Sequence, residues 1–165
     1  MISAPLDVGA VRRLAEDDDV MADMADFYDR LDHQIADHRP LCWNRGACCH
    51  FGKFDHRLFV TPLELAHFIR HTDEPVRRPT SDHCPYQHDG QCHARAARPM
   101  GCRIFHCEAV SQSWQGPLTE NSLDSLRNRH DRLGVEYAYV DWINALEQLS
   151  AGPKPATVDS SSAES

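Results

Sequence analysis

From Val20 the apolar residues fall at Val20, Met24, Phe27, Tyr28, Leu31 and Ile35, in steps of three and four that lay one stripe along a helix. The pattern predicts helix from roughly Val11 to His38, stopping before Pro40. The Asp17-Asp18-Asp19 run can divide it in two, one of these aspartates capping the second helix. The remaining acids read most simply as a solvated face. Asp55 to Val60 reads as a short strand, and Thr61-Pro62-Leu63-Glu64 then supplies an N-cap, a proline at N1 and a glutamate at N3. A helix from Pro62 to about His71 follows.

Residues Thr72 to His83 hold two prolines, Arg77-Arg78 and no apolar periodicity, so they form a connecting loop. Asp89-Gly90 then separates Tyr86-Gln87-His88 from Gln91-Cys92-His93, a tight-turn signal for a small hairpin. Such a hairpin presents Cys84 and Cys92 from opposite arms. Ala94 to Ala97 suits a brief helical turn stopped by Arg98-Pro99. Leu118 to Leu133 reads as helix ending at Gly134. In Val135 to Leu149 the apolar set Ala138, Ile143, Ala145, Leu146 and Leu149 favours helix in the second half, with a strand over Glu136 to Val140 as the alternative. Tyr137, Tyr139 and Trp142 read as core and rim.

A length of 165 residues suits one domain able to bury a core without disulfides. The expected class is α+β and helix-rich, a small single domain with helices packed around a loop-rich, cysteine-ligated metal site. The expected layout is an N-terminal tail over 1–10, a cysteine-cluster domain over 11–150 with a metal-binding core at 41–107, and a disordered tail rich in Gly, Pro, Ser and Ala over 151–165. No apolar run approaches the roughly 18 residues that span a bilayer. The first residues lack the basic start and apolar stretch of a secretory signal, so the expected compartment is the cytoplasm. Thiols there are kept reduced, and grouped cysteines serve as ligands or reactive groups more often than as disulfides.

Net charge is −8, unevenly spread. Residues 1–41 carry four basic against ten acidic side chains, residues 42–107 nine against six, and residues 108–165 four against nine. Only the middle third is positive, and it holds every cysteine. Thiolates on a metal leave negative charge that nearby arginines can offset, and Arg45, Arg95, Arg98 and Arg103 are placed in sequence to do so. Nucleic acid, which calls for a more basic domain, is disfavoured as a partner, and a protein partner stays open.

The seven cysteines are arranged as Cys42-x5-Cys48-Cys49 and Cys84-x7-Cys92-x9-Cys102-x4-Cys107. Thiols gathered in loop-like sequence beside histidines point to a metal or an iron–sulfur cluster. The chain lacks the Cys-x2-Cys knuckle that wraps a tetrahedral zinc ion and the Cys-x2-Cys-x2-Cys run of bacterial ferredoxins. Ligands from separate loops therefore remain for either metal. Adjacent Cys48 and Cys49 point different ways in most backbone conformations, so one is a ligand and the other a buried thiol, a second-site ligand or a reactive group. His50, His83, His93 and His106 each neighbour a cysteine and are further candidates. His67 and His71 lie four apart on a predicted helix, without the glutamate of a zincin motif between them.

The pattern Cys92-x5-Arg98-Pro99-x2-Cys102-Arg103-x-Phe105, preceded by Cys84-Pro85 and by Gly46-x-Cys48-Cys49, resembles the zinc- or iron-chelating YkgJ-like cysteine-cluster family over roughly Leu41 to Cys107. That family opens with Cys-x2-Cys-x2-Cys-Cys. Cys42, Cys48 and Cys49 match its first, third and fourth positions, and Arg45 stands at the second. The resemblance implies a site joining Cys48 or Cys49 to Cys84, Cys92 and Cys102, with Cys107 and Cys42 next. It implies zinc or iron, and the family's likeness to flagellin lysine N-methylases favours an iron–sulfur cluster by a small margin. The alternatives are a methylase-like, protein-modifying enzyme that uses the cluster and a structural zinc domain acting as an interaction module. No glycine-rich nucleotide loop, serine nucleophile motif or paired-carboxylate signature supports the enzyme.

Overall fold

Two aspartates build the N-terminal helices by accepting backbone N–H groups that no helical carbonyl reaches. In the computed structural model, which describes residues 5–40, 57–72, 75–106 and 109–151, the Asp7 side chain accepts from the Ala10 N–H at 2.9 Å and starts α1 (Val8–Glu16). The start lies three residues before the periodicity predicts, because this cap and buried Leu6 extend the ordered stretch. Asp17 then ends α1 and caps α2 (Asp18–Asp37), accepting from Asp19 and Val20 at 3.0 and 3.2 Å. The predicted break is therefore present, and Asp17 makes it.

Helix α3 (Pro62–His71) is the centre of the fold. Its capping box is complete, and every residue from Pro62 to Ile69 is buried, so α3 has no solvated face until Arg70. Helices α1 and α2 both pack against it, α1 most extensively. Arg70 fastens the junction, donating to the Ala15 carbonyl at 2.9 Å and to Asp18 at 2.7 Å. Phe68 meets Tyr86 and Trp142 edge-on, with ring centroids 5.0 and 4.8 Å apart, the arrangement that aromatic quadrupoles favour.

The strands are short. Strands β1 (Phe59–Val60) and β4 (Val140–Asp141) pair antiparallel, while β2 (Gln87–His88) and β3 (Gln91–Cys92) form the predicted hairpin. Asp89 and Gly90 take φ of 54° and 71°, the left-handed pair that a two-residue turn requires. A 3-10 turn over Arg95–Ala97 follows as expected, and then α4 (Met100–Ile104), a short helix that periodicity did not reveal. Gly101 on α4 is needed for close packing, since a Cβ there would lie 2.6 Å from Leu58 Cδ1.

Helix α5 (Gln112–Leu133) begins six residues earlier than predicted and runs through Pro117. Gly134, at φ 66°, ends it, and the Val135 N–H returns to the His130 carbonyl at 2.9 Å. The segment after it resolves as both alternatives in turn: strand at Val140–Asp141, then α6 (Trp142–Ser150), whose first turn Asp141 caps. Among the described residues, six α-helices with two small antiparallel sheets make a helix-rich α+β fold. Among the described residues no helix is long and apolar enough to cross a membrane.

The acids of α2 are more than a solvated face. Asp23 receives Arg129 at 2.7 Å and Arg132 at 2.9 Å from α5, and Asp26 receives Arg129 at 3.4 Å. Burial pushes the Asp23 carboxyl up, but these two guanidinium groups more than offset it and hold its pKa below the usual aspartate value. Arg129→Leu is expected to cost about 2–3 kcal/mol in urea unfolding, because it breaks a mostly buried ion pair and leaves Asp23 only the exposed Arg132. Arg127→Leu, removing an exposed pair within α5, should cost under about 1 kcal/mol.

Candidate metal centre

Each of the three described cysteines is carried by a different local device. Cys84 lies in the turn before the hairpin, where the Gln87 N–H donates to its carbonyl at 3.1 Å. Its buried sulfur accepts the indole N–H of Trp142 at 3.4 Å, a bond that joins the thiol directly to the aromatic core. Cys92 ends β3, opposite Gln87, and is half-buried. Cys102 is the third residue of α4, also half-buried. Cys42, Cys48, Cys49 and Cys107, with His50 and Arg45, lie outside the described residues.

Arg98 stands near two of these thiols. Its side chain donates to the Arg95 carbonyl at 3.0 Å and to the Cys102 carbonyl at 3.1 Å, which holds the guanidinium over the short connection between the 3-10 turn and α4. Burial and the neighbouring Arg95 charge lower its pKa from the usual arginine value, and negative charge on Cys102 and Cys92 pulls it back. Both sulfurs therefore lie within electrostatic reach of one half-buried cation.

Arg103 has a scaffolding role. It donates to the Arg98 carbonyl at 2.7 Å, the Ala96 carbonyl at 2.8 Å and Asp32 on α2 at 2.8 Å, and its guanidinium stacks 4.0 Å above the Tyr28 ring. A planar fork with donors on every edge can close a loop in this way, which a lysine could not. The segment from Ala96 to Arg103, which carries Cys102, is thereby fixed to α2.

The candidate histidines divide. His93 stacks on His88 with centroids 3.5 Å apart at the exposed hairpin. His106 is half-buried, with Nδ1 3.0 Å from the Ile104 carbonyl, and its ring lies 5.8 Å from Trp114. His67 and His71 stack at 4.1 Å, but His71 Nδ1 is engaged with the His67 carbonyl at 2.8 Å and buried His67 packs on Tyr28 at 4.6 Å. Among the described residues no three His, Cys, Asp or Glu side chains converge as a metal-binding group.

One buried side chain tied to the Cys102 turn was only half legible in the sequence. Glu64 was legible as N3 of a capping box, and its Oε2 does accept the Thr61 N–H at 2.8 Å. Its other oxygen, Oε1, accepts the Met100 N–H at 2.8 Å and so holds the first turn of α4. The side chain is buried, and this burial pushes its pKa up to about 7 against the pull of those N–H groups and of Arg103. Nothing in the local pattern around Glu64 signals a partner 36 positions away.

No family model, curated protein or solved structure matches the chain.

Glu64 and His67 face each other in their effect on stability. The unfolded chain releases the Glu64 proton near pH 4.5 and the folded chain near 7, so stability falls as pH rises through that window, by about 3 kcal/mol in all. Burial, then the charges of His71 and Arg103, lower the His67 pKa to about 3. Below pH 6.5 the unfolded chain therefore takes up a proton that the folded chain refuses, and stability falls with acid, by about 2 kcal/mol at pH 5. Urea melts between pH 4.5 and 6.5 should give opposite slopes relative to wild type: Glu64→Gln gains stability with rising pH, and His67→Gln loses it.

Proposed function

We propose that the chain is a metal-binding protein of the YkgJ-like class that holds zinc or iron through its cysteine cluster, with an iron–sulfur cluster preferred by a small margin. The observation that carries this reading is the approach of Cys92 and Cys102, from β3 and α4, to the half-buried guanidinium of Arg98. Thiolates on a metal leave excess negative charge, and a guanidinium beside them offsets it. The Trp142 N–H on the Cys84 sulfur fits the same chemistry, because a hydrogen bond to sulfur stabilises the thiolate form.

Tested against a resident metal, the donor set fits in kind: three described thiols with a donor or cation beside them, and four more thiols in the same 66-residue stretch from Cys42 to Cys107. Cys84, Cys92 and Cys102 would supply ligands, completed from Cys48 or Cys49, with Cys107 and Cys42 next. A cluster would supply one-electron chemistry, and zinc a structural cross-link. The structural zinc reading draws support from the Cys84–Trp142 bond, which couples the thiol loop to the core.

Anaerobic purification followed by metal and sulfide analysis and a visible spectrum tests the proposal. Iron with acid-labile sulfide and broad visible absorption is the expected result. A colourless protein with about one zinc per chain would remove the cluster preference in favour of zinc. A metal-free protein with all seven thiols open to titration would overturn the reading. Cys84→Ser, Cys92→Ser and Cys102→Ser are each expected to lose most of the metal, and normal content in all three would rule out this ligand set.

A further inference from the structure

A carboxylate taken out of water needs hydrogen-bond donors, and Glu64 draws one to each oxygen from two separate parts of the chain. Oε2 closes the capping box of α3 on the Thr61 N–H, and Oε1 accepts the Met100 N–H at the start of α4. The Met100 N–H has no helical carbonyl to reach, since α4 begins there after Pro99. Two residues further on is Cys102, and beside it Arg103, which closes the other side of the same segment through the Arg98 and Ala96 carbonyls and Asp32.

We infer that Glu64 is a positioning residue for the thiol of Cys102: one buried carboxylate registers the cysteine-bearing turn of α4 against the central helix α3. The inference rests on the metal-site reading for its purpose, although the geometry stands without it. The carboxylate suits the task because it has an acceptor on each side. A glutamine can supply one acceptor and turns an N–H toward the second donor, and an aspartate is one methylene too short to reach both. The backbone around Cys102 should therefore loosen in either variant, while Cys92, held by the β2–β3 ladder, stays where it is.

The test uses the full chain as wild type, Glu64→Gln, Glu64→Asp and Arg129→Leu, the last as a control weakened at the Arg129–Asp23 pair between α2 and α5, which makes no bond to the Met100–Arg103 turn. First, Cys102 and Cys92 are alkylated with iodoacetamide in metal-free protein under native conditions and quantified separately by mass spectrometry. Cys102 is expected to react roughly tenfold faster in both Glu64 variants, with Cys92 unchanged and both rates near wild type in Arg129→Leu. Second, Zn(II) and Fe(II) affinities are measured. The Glu64 variants are expected to bind roughly 10–100-fold more weakly, with Arg129→Leu at the wild-type value.

Unchanged Cys102 alkylation in both Glu64 variants would overturn the inference, as would equal acceleration at Cys92 or in Arg129→Leu, since either marks general loosening. Should wild type bind no metal, the metal reading fails by itself, and alkylation still decides whether Glu64 positions Cys102. Should Glu64→Gln fail to fold, Glu64→Asp, which keeps the charge, carries the comparison.

Discussion

Burying a carboxylate is among the costlier things a fold can do, and this chain does it at its centre. Glu64 is fully enclosed on α3, and it stays there because two helix starts, α3 and α4, each have an N–H group in need of an acceptor. The core around it is arranged by the same helix: Phe68, one turn further on, meets Tyr86 and Trp142 edge-on. Trp142 in turn donates to the Cys84 sulfur. Both the buried acid and the aromatic cluster thus lead from α3 outward to a cysteine, one to Cys102 through Met100 and one to Cys84 through Trp142.

Charge separation along the chain has a structural use. The acidic N-terminal third becomes α1 and α2, and its aspartates meet arginines from the rest of the molecule: Asp18 with Arg70, Asp23 with Arg129 and Arg132, and Asp32 with Arg103. The first and third of these contacts clamp the ends of α3 and α4. Arg103 is the most constrained, since its guanidinium also lies over Tyr28, whose buried hydroxyl is held protonated by desolvation and by the Glu64 charge. The positive middle third is therefore consumed in two ways, by scaffolding in Arg70 and Arg103 and by proximity to sulfur in Arg98.

How much was legible follows from the range of each interaction. Asp17 as a cap, the Thr61–Glu64 box, the Asp89-Gly90 turn and the Gly134 stop are all decided within about four residues, and each appears where the local chemistry places it. The early start of α5 and its passage through Pro117 were hidden because proline near an N-terminus reads as a beginning, whereas Gln112–Gly116 are already helical ahead of it. Helix α4 was hidden for a different reason. Five residues hold too few periods to register, and its N-terminal donor is satisfied from α3 rather than by a residue of its own.

For the candidate centre, the amino-acid sequence by itself determined which side chains are available: clustered thiols, arginines interleaved with them, and a hairpin separating Cys84 from Cys92. Spacing and turn chemistry act over a few residues, so they survive reading along the chain. Only the tertiary structure decided that Cys92 and Cys102 share the Arg98 charge, that Trp142 faces Cys84 from 58 positions away, and that Glu64 holds the turn bearing Cys102. Hydrogen bonds and burial act through space, and nothing in the local pattern of either partner records where the other will stand.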